Sequence, residues 1–344
     1  MTTTTMPRTA QKSNPLIWVV CALFLFISVP LLFMEFRTYE TVDESLFHHP
    51  TILTFSDQLP TPDYSDYRSA TTPLYHTVMS VLVRVFNANL TSLRIINLSI
   101  SLLGILLIYG MLSPYTGEFP AILLTMCYGL SQYWLGPAVR LSTDNTALVL
   151  VLATFVLLSR ADLQPKHLAV AIVLMSGAVL VRQLTIWIVL ATGLYILMVW
   201  RGTILQKLTA SAMMGIPALL LLPFVLMWKG LTPPTFQVHQ FDGGLLNTSV
   251  FIYMMGVLGA YALFFAPWII TIGRKQGVKW WQVIGIVMAS MILLAILPLK
   301  VTLEDAFVGG ILWRIGQAFP AIAGTSLLFW IVFPIGSVTL YVFY

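Results

Sequence analysis

The 344-residue chain is 58% hydrophobic and carries only 18 Lys and Arg against 13 Asp and Glu. Soluble domains usually give about a quarter of their positions to charged residues, so a water-soluble globule is excluded. The net charge of +5 is scattered singly or in pairs, without the clustering or aromatic interleaving of a nucleic-acid surface. At roughly 20 apolar residues per bilayer crossing there is room for about ten spans. The apolar runs contain Pro and Gly, which suits helices and not the alternating segments of about ten residues in outer-membrane barrels. Cys21 and Cys127 both lie inside apolar runs and support no disulfide framework, zinc site or thiol catalyst.

The first strong run, 16–34, follows a Thr-rich tail with Arg8 and Lys12. It stays apolar past Pro30 and has no convincing small-residue cleavage site, which favours an uncleaved first span. Residues 1–14 are then a cytoplasmic tail by the positive-inside rule. Residues 35–72 hold seven of the thirteen acids and begin the first external loop, 35–93. Within that loop 74–86 is a 13-residue piece between Pro73 and Asn87, about 20 Å of helix against a hydrocarbon core of ~30 Å. It is expected to rest on the membrane surface. Leu74, Val78, Val81, Leu82 and Val85 recur at helical spacing, while His76, Ser80 and Arg84 lie off that stripe.

Further spans are expected at 94–112, 119–135, 143–159, 167–181, 185–200, 208–228, 250–272 and 281–298. This parity puts Arg160/Lys166, Arg201/Lys207 and Arg274/Lys275/Lys279 on the side of Arg8 and Lys12. The segment 167–200 must break at Arg182-Gln183, because an arginine at mid-membrane costs roughly 3 kcal/mol on insertion scales. Residues 307–344 leave room for two more spans, interrupted near Pro320. The expected fold is an all-α polytopic membrane protein of about 11 crossings with one short interfacial helix.

This topology gathers Asp43, Glu44, His48, His49, Arg68, His76, Arg140, Asp144, Arg182, Lys229, His239, Asp242, Glu304 and Asp305 on the external face. The asymmetry points to an external active site. A transporter more often buries its coupling charges near the midplane, on discontinuous helices of repeated halves. Adjacent acids lie about 100° apart on a helix, so Asp43 is the expected base and Glu44 the group that orients it or a neighbour. The ordinary alternative is two solvated loop carboxylates; the second acid, Asp144, with Arg140 four residues earlier, argues against it. Arg182 and Arg140 offer planar forks of donors to phosphate, the alternative being snorkelling anchors at helix ends. His239 and Asp242 either line an acceptor site or are solvated. His48-His49 lacks a settled third ligand, so no metal is assigned and a divalent ion stays only an option.

An Asp-Glu pair just after the first span, a Pro-led short amphipathic helix and an Arg-x-x-x-Asp turn opening a later span resemble the polytopic GT-C glycosyltransferases, which use polyprenyl-phosphate sugars. Within that class the resemblance is closest to the dolichyl-phosphate-glucose α-1,2-glucosyltransferase family. That family's Asp-Glu followed by Phe-His resembles Asp43-Glu44-Ser45-Leu46-Phe47-His48, here one residue longer, and its Thr-Thr-Pro resembles Thr71-Thr72-Pro73, followed directly by Leu74-Tyr75. Its Tyr-Thr-Asp resembles Ser142-Thr143-Asp144, and its Arg-Gln-Thr-Asn-Ile-x-Trp resembles Arg182-Gln183-Leu184-Thr185-Ile186-Trp187. These landmarks cover roughly residues 40 to 190; beyond them only Glu304-Asp305 before Trp313-Arg314 is similar.

The resemblance implies an inverting transfer of a hexose, glucose in that family, from a polyprenyl phosphate to a lipid-linked or other extracytoplasmic glycan acceptor. It implies catalytic roles for Asp43, Glu44 and Asp144, and donor-phosphate contacts from Arg182, Gln183 and Arg140. Acceptor or substrate contacts fall to His48, Thr72, Tyr75, His239, Asp242, Glu304 and Asp305. Residues 15–228 then form the catalytic module and 229–344 a C-terminal transmembrane module. The partners are the lipid-linked donor, the acceptor and membrane lipid, with a prokaryotic plasma membrane favoured over the endoplasmic reticulum. A lipid-linked sugar flippase, a non-catalytic assembly subunit, and a GT-C transferase acting on protein or lipid A are the rival readings.

Overall fold

The structure is a computed structural model that describes residues 16–34, 43–159, 164–237, 248–297, 299 and 310–343. The chain divides into two compact units, residues 1–240 and 241–344. In the first, α1 is Leu16–Met34, and a π-helical turn, Glu44–His48, runs directly into α2, His49–Gln58. There follow α3 (Leu74–Phe86), α4 (Leu90–Thr116), α5 (Glu118–Gly129), α6 (Gln132–Ala138), α7 (Thr143–Leu158) and α8 (Pro165–Val181). A 3-10 turn, Gln183–Ile186, leads into α9 (Trp187–Val199). Next come α10 (Ile204–Met213), α11 (Ile216–Leu219), α12 (Leu222–Trp228) and α13 (Pro234–Gln237). The second unit holds α14 (Thr248–Phe264), α15 (Ala266–Lys275), α16 (Trp280–Ile296), α17 (Gly310–Gln317) and α18 (Leu327–Phe343). Its hairpin pairs β1 (Ala321–Ile322) with β2 (Thr325–Ser326), antiparallel.

The fold is mostly helical and apolar on its outside, as a polytopic membrane protein must be when lipid replaces water. Met198, Leu190 and Val173 are about seven-tenths exposed, on helices whose other faces pack. By length and composition three helical stretches suffice to cross a bilayer, Leu16–Phe33, Leu90–Pro114 and Ile204–Trp228. Counting α6 with α7, bent by 113°, and α14 with α15, bent by 94°, makes up to five. Several remaining helices are 17 residues long, about 25 Å and the lower limit for a span. The expected continuous span at 119–135 is interrupted between α5 and α6, and that at 250–272 between α14 and α15.

The short helix of the first loop has the bounds expected of it. Pro73 opens α3, and Asn87, in the left-handed region at φ 51°, closes it with its N–H on the Leu82 carbonyl. Its orientation was not legible in the stripe. Val78, Val81, Val85 and Phe86 face outwards, whereas Tyr75, His76, Met79 and Ser80 are buried. His76 and Ser80 of the polar face are turned to protein, Arg84 stays exposed, and much of the apolar face is turned away from protein, the arrangement that suits a helix bathed in lipid.

The sharp bend between α6 and α7 leaves backbone groups outside any helix, and two side-chain amides from the bundle take them up. Asn97 Nδ2 donates to the carbonyls of Pro137 and Arg140, both at 2.7 Å, and Asn145 Nδ2 donates to Trp134 O at 2.8 Å and Ser101 Oγ at 2.9 Å. Backbone groups released by a bend next to apolar helices need partners of this kind. The bend in turn aims residues 140–144 at the first loop.

In the second unit α14 and α18 meet backbone to backbone. A Cβ on Gly259 would lie 1.7 Å from the Val332 carbonyl oxygen, and one on Gly336 would lie 2.0 Å from that of Met255. Small residues permit such close crossings between apolar helices. Phe329, Val332 and Phe333 of α18 pack with Ile252 and Met255 in the core around it.

Candidate active site

The tandem acids after α1 are separated by the fold into two environments. Glu44 is fully buried, and Arg94 on α4, itself 1% exposed, binds it with both ends of its fork. Arg94 Nε donates to Oε1 at 2.8 Å and Nη2 to Oε2, and the Leu141 N–H adds a third donor to Oε1 at 2.9 Å. Bidentate guanidinium–carboxylate pairing is the geometry that best offsets desolvation of two charges. Glu44 thus ties the first loop to α4 and to the α6–α7 bend. Sequence reasoning missed Arg94, although a lone arginine at the start of a long apolar run needs an acid.

Asp43 caps the same π-turn but is exposed, and its side chain makes no hydrogen bond to a described residue. The carboxylate is open to whatever enters from outside.

Arg182 ends α8 with an extended backbone, φ −152° and ψ 108°, which is the break expected at this arginine. Its Nη1 pairs with Asp144 Oδ1 and donates to Thr143 Oγ1 at 3.2 Å. Both charged side chains stay about a third exposed or more. Asp144 stands in the first turn of α7, where the helix N-terminus favours a carboxylate and Ser142 Oγ accepts its N–H at 3.2 Å. Arg140, four residues before Asp144, lies in the bend before α7, and Asp144 is ion-paired with Arg182.

Gln183 and Thr72 come together across 111 positions of sequence. Gln183 Oε1 accepts the Thr72 N–H at 3.1 Å, its Nε2 donates to Ala70 O at 2.6 Å, and Thr72 Oγ1 donates to Val179 O at 2.8 Å. The amide that the resemblance offers to a phosphate is thereby engaged in holding the 70–72 turn against the end of α8. Tyr75 is 2% exposed, with its hydroxyl on Asn97 Oδ1 at 3.4 Å. That leaves it a packing and anchoring group of α3, away from solvent.

His48 faces His76 of α3 with Nδ1 to Nε2 at 2.9 Å and near-stacked rings. Burial holds both imidazoles below the ordinary histidine range, His76 furthest, while Asp43 and Asp144 pull His48 back upwards and Arg182 opposes them. His48 is therefore the point at which Asp43, Glu44, Asp144 and Arg182 are all felt. Because the folded values lie below the unfolded one of about 6.5, the unfolded chain takes up protons first as pH falls. Stability from this pair is whole above about pH 6.5 and lost as pH drops through it. The unfolding midpoint in detergent is expected to fall from pH 7.5 to 5, with a flatter slope in His76→Phe; equal slopes would contradict this.

Beside the site, Pro50, Thr51, Thr54, Phe55 and Gln58 of α2 face Asp63, Asp66, Tyr67 and Arg68 across a cleft of about 340 Å³, half polar and half apolar. His239, Asp242, Glu304 and Asp305 lie outside the described residues, as do Arg160, Asp162 and the tail 1–14. Among the described residues no three His, Cys, Asp or Glu side chains converge on a point where a metal ion would sit.

Residues 70–228, from the Thr72 turn through the Asp144–Arg182 pair to the end of α12, match the model of the dolichyl-phosphate-mannose-protein mannosyltransferase family. The matched stretch is somewhat under half of the chain, and it supports the resemblance to GT-C glycosyltransferases. No curated protein and no solved structure matches the chain.

Proposed function

We propose that the protein transfers a hexose from a polyprenyl phosphate to a glycan hydroxyl outside the cytoplasm, with inversion and with Asp43 as the base. The observation that carries this reading is the division of labour within Asp43-Glu44. One carboxylate is buried under Arg94 and the Leu141 N–H, and the other, a single residue away, is exposed with no hydrogen bond to a described residue. A general base must reach the proton it removes, and only Asp43 of the two is free to do so. The donor is glucose-bearing on the sequence resemblance and mannose-bearing on the family match, so both are supplied in the test. The cleft along α2 suits the acceptor glycan, since its floor of Phe55 and Tyr67 is apolar and its rim carries Asp63, Asp66 and Arg68.

Purified protein in detergent, given radiolabelled hexosyl-phosphoryl-polyprenol and a lipid-linked glycan, is expected to form labelled product. A flippase would form none, because detergent offers no second compartment. Arg182 supplies the charge that receives the departing phosphate, and Asp144 and Thr143 hold its guanidinium in place. Arg182→Ala is expected to raise the donor KM at least about tenfold, with Arg182→Lys in between because the planar fork is lost while the charge remains. An unchanged donor KM in Arg182→Ala would make that arginine a membrane-surface anchor.

A further inference from the structure

We infer that His76 is a positioning residue that fixes the tautomer of His48, so that His48 presents an Nε2–H donor to an oxygen of the bound sugar. The inference rests on the transferase reading and adds to it a residue outside the reacting groups. The contact between His48 Nδ1 and His76 Nε2 at 2.9 Å holds one proton between two nitrogens. Two neutral arrangements satisfy it. If His48 gives the proton, His76 must carry its own on Nδ1, and that atom is buried with no hydrogen-bond partner among the described residues. An orphaned N–H of this kind is among the rarest features of folded interiors. If His76 gives the proton from Nε2, its buried Nδ1 is a bare lone pair, and His48 must carry its own proton on Nε2.

Electrostatics selects the same arrangement. Nε2 points away from Nδ1 across the ring, hence away from His76, and makes no other hydrogen bond to a described residue. The charged groups felt by His48 are Asp43 and Glu44 from its own segment, Asp144 from α7 and Arg182 from the end of α8. Among the described residues Glu44 and Asp144 have cationic partners and Asp43 has none, so negative charge acts on His48 and suits a ring that offers an N–H outwards. His76 itself is caged by the rings of Tyr75 at 5.6 Å, Tyr67 at 6.1 Å and Phe55 at 6.5 Å, so it acts as a fixed template. A neutral His48 with its proton on Nε2 has no vacant nitrogen facing the site. It serves as a hydrogen-bond donor to substrate and leaves proton abstraction to Asp43.

The chain has only five histidines, so 15N-histidine labelling of the full-length protein in lipid nanodiscs gives an assignable solid-state NMR spectrum. At pH 7.5, His48 and His76 are both expected as neutral rings protonated on Nε2, with assignments from His48→Asn and His76→Gln. A proton on His48 Nδ1 would overturn the inference, and this readout needs no substrate. In the transfer assay His76→Phe fills the cage but removes the donor. It is expected to lower kcat roughly 10- to 100-fold through misplacement of His48, with the donor KM unchanged. His76→Gln puts an amide N–H where Nε2 stood and is expected to retain activity within about threefold. Equal activity of His76→Phe and wild type, or equal loss in both variants of folded protein, would reject the assignment. Absence of transfer by the wild type would remove the transferase reading and leave the tautomer result standing.

Discussion

Asp43→Asn is expected to lower sugar transfer at least about 100-fold while leaving donor binding and the unfolding midpoint close to wild type. The substitution keeps size and hydrogen-bonding capacity but removes the basicity that takes a proton from the attacking hydroxyl. Because the side chain is exposed and bonded to no described residue, little of the fold depends on it. The measurement is initial rate of labelled product against donor binding in the same preparation. A variant with full transfer activity would remove Asp43 from the mechanism. Loss of binding in step with activity would give it a substrate contact in place of base chemistry.

The neighbouring acid is expected to behave in the opposite way. Glu44→Ala strands Arg94 in a site 1% exposed, and breaking one side of a buried pair typically costs about 3–5 kcal/mol. The expected result is a collapse in yield or a large fall in the unfolding midpoint, with activity lost only as folded protein is lost. Replacing both partners, Glu44→Leu with Arg94→Met, is expected to recover much of that stability, because an apolar pair needs no charge compensation. A stable, inactive Glu44→Ala would show instead that this carboxylate takes part in the reaction. The two predictions together test the separate roles that sequence reasoning assigns to these adjacent residues.

What sequence made legible was local. The 13-residue length and flanking Pro73 and Asn87 set the bounds of α3, and the cost of a buried arginine located the break at Arg182. Partnerships over long separations were not legible. Nothing in spacing says that Gln183 holds the 70–72 turn, or that the acid at 44 is answered by the arginine at 94. Periodicity found the apolar stripe of α3 but not which way it faces, since the same stripe would point inwards in water and outwards in lipid. His76 was counted among the external polar residues on a face taken for solvated, and its position there is buried. The helix breaks inside 119–135 and 250–272 also escaped, because apolar runs read as continuous through a break of one or two residues.

The crossing of α14 and α18 limits how the second unit can move. With Gly259 and Gly336 each within reach of the opposite main chain, translating one helix along the other by a single turn would drive a side chain into a carbonyl. Sliding α14 along α18 is therefore opposed at the crossing itself, and the two helices are held in register there.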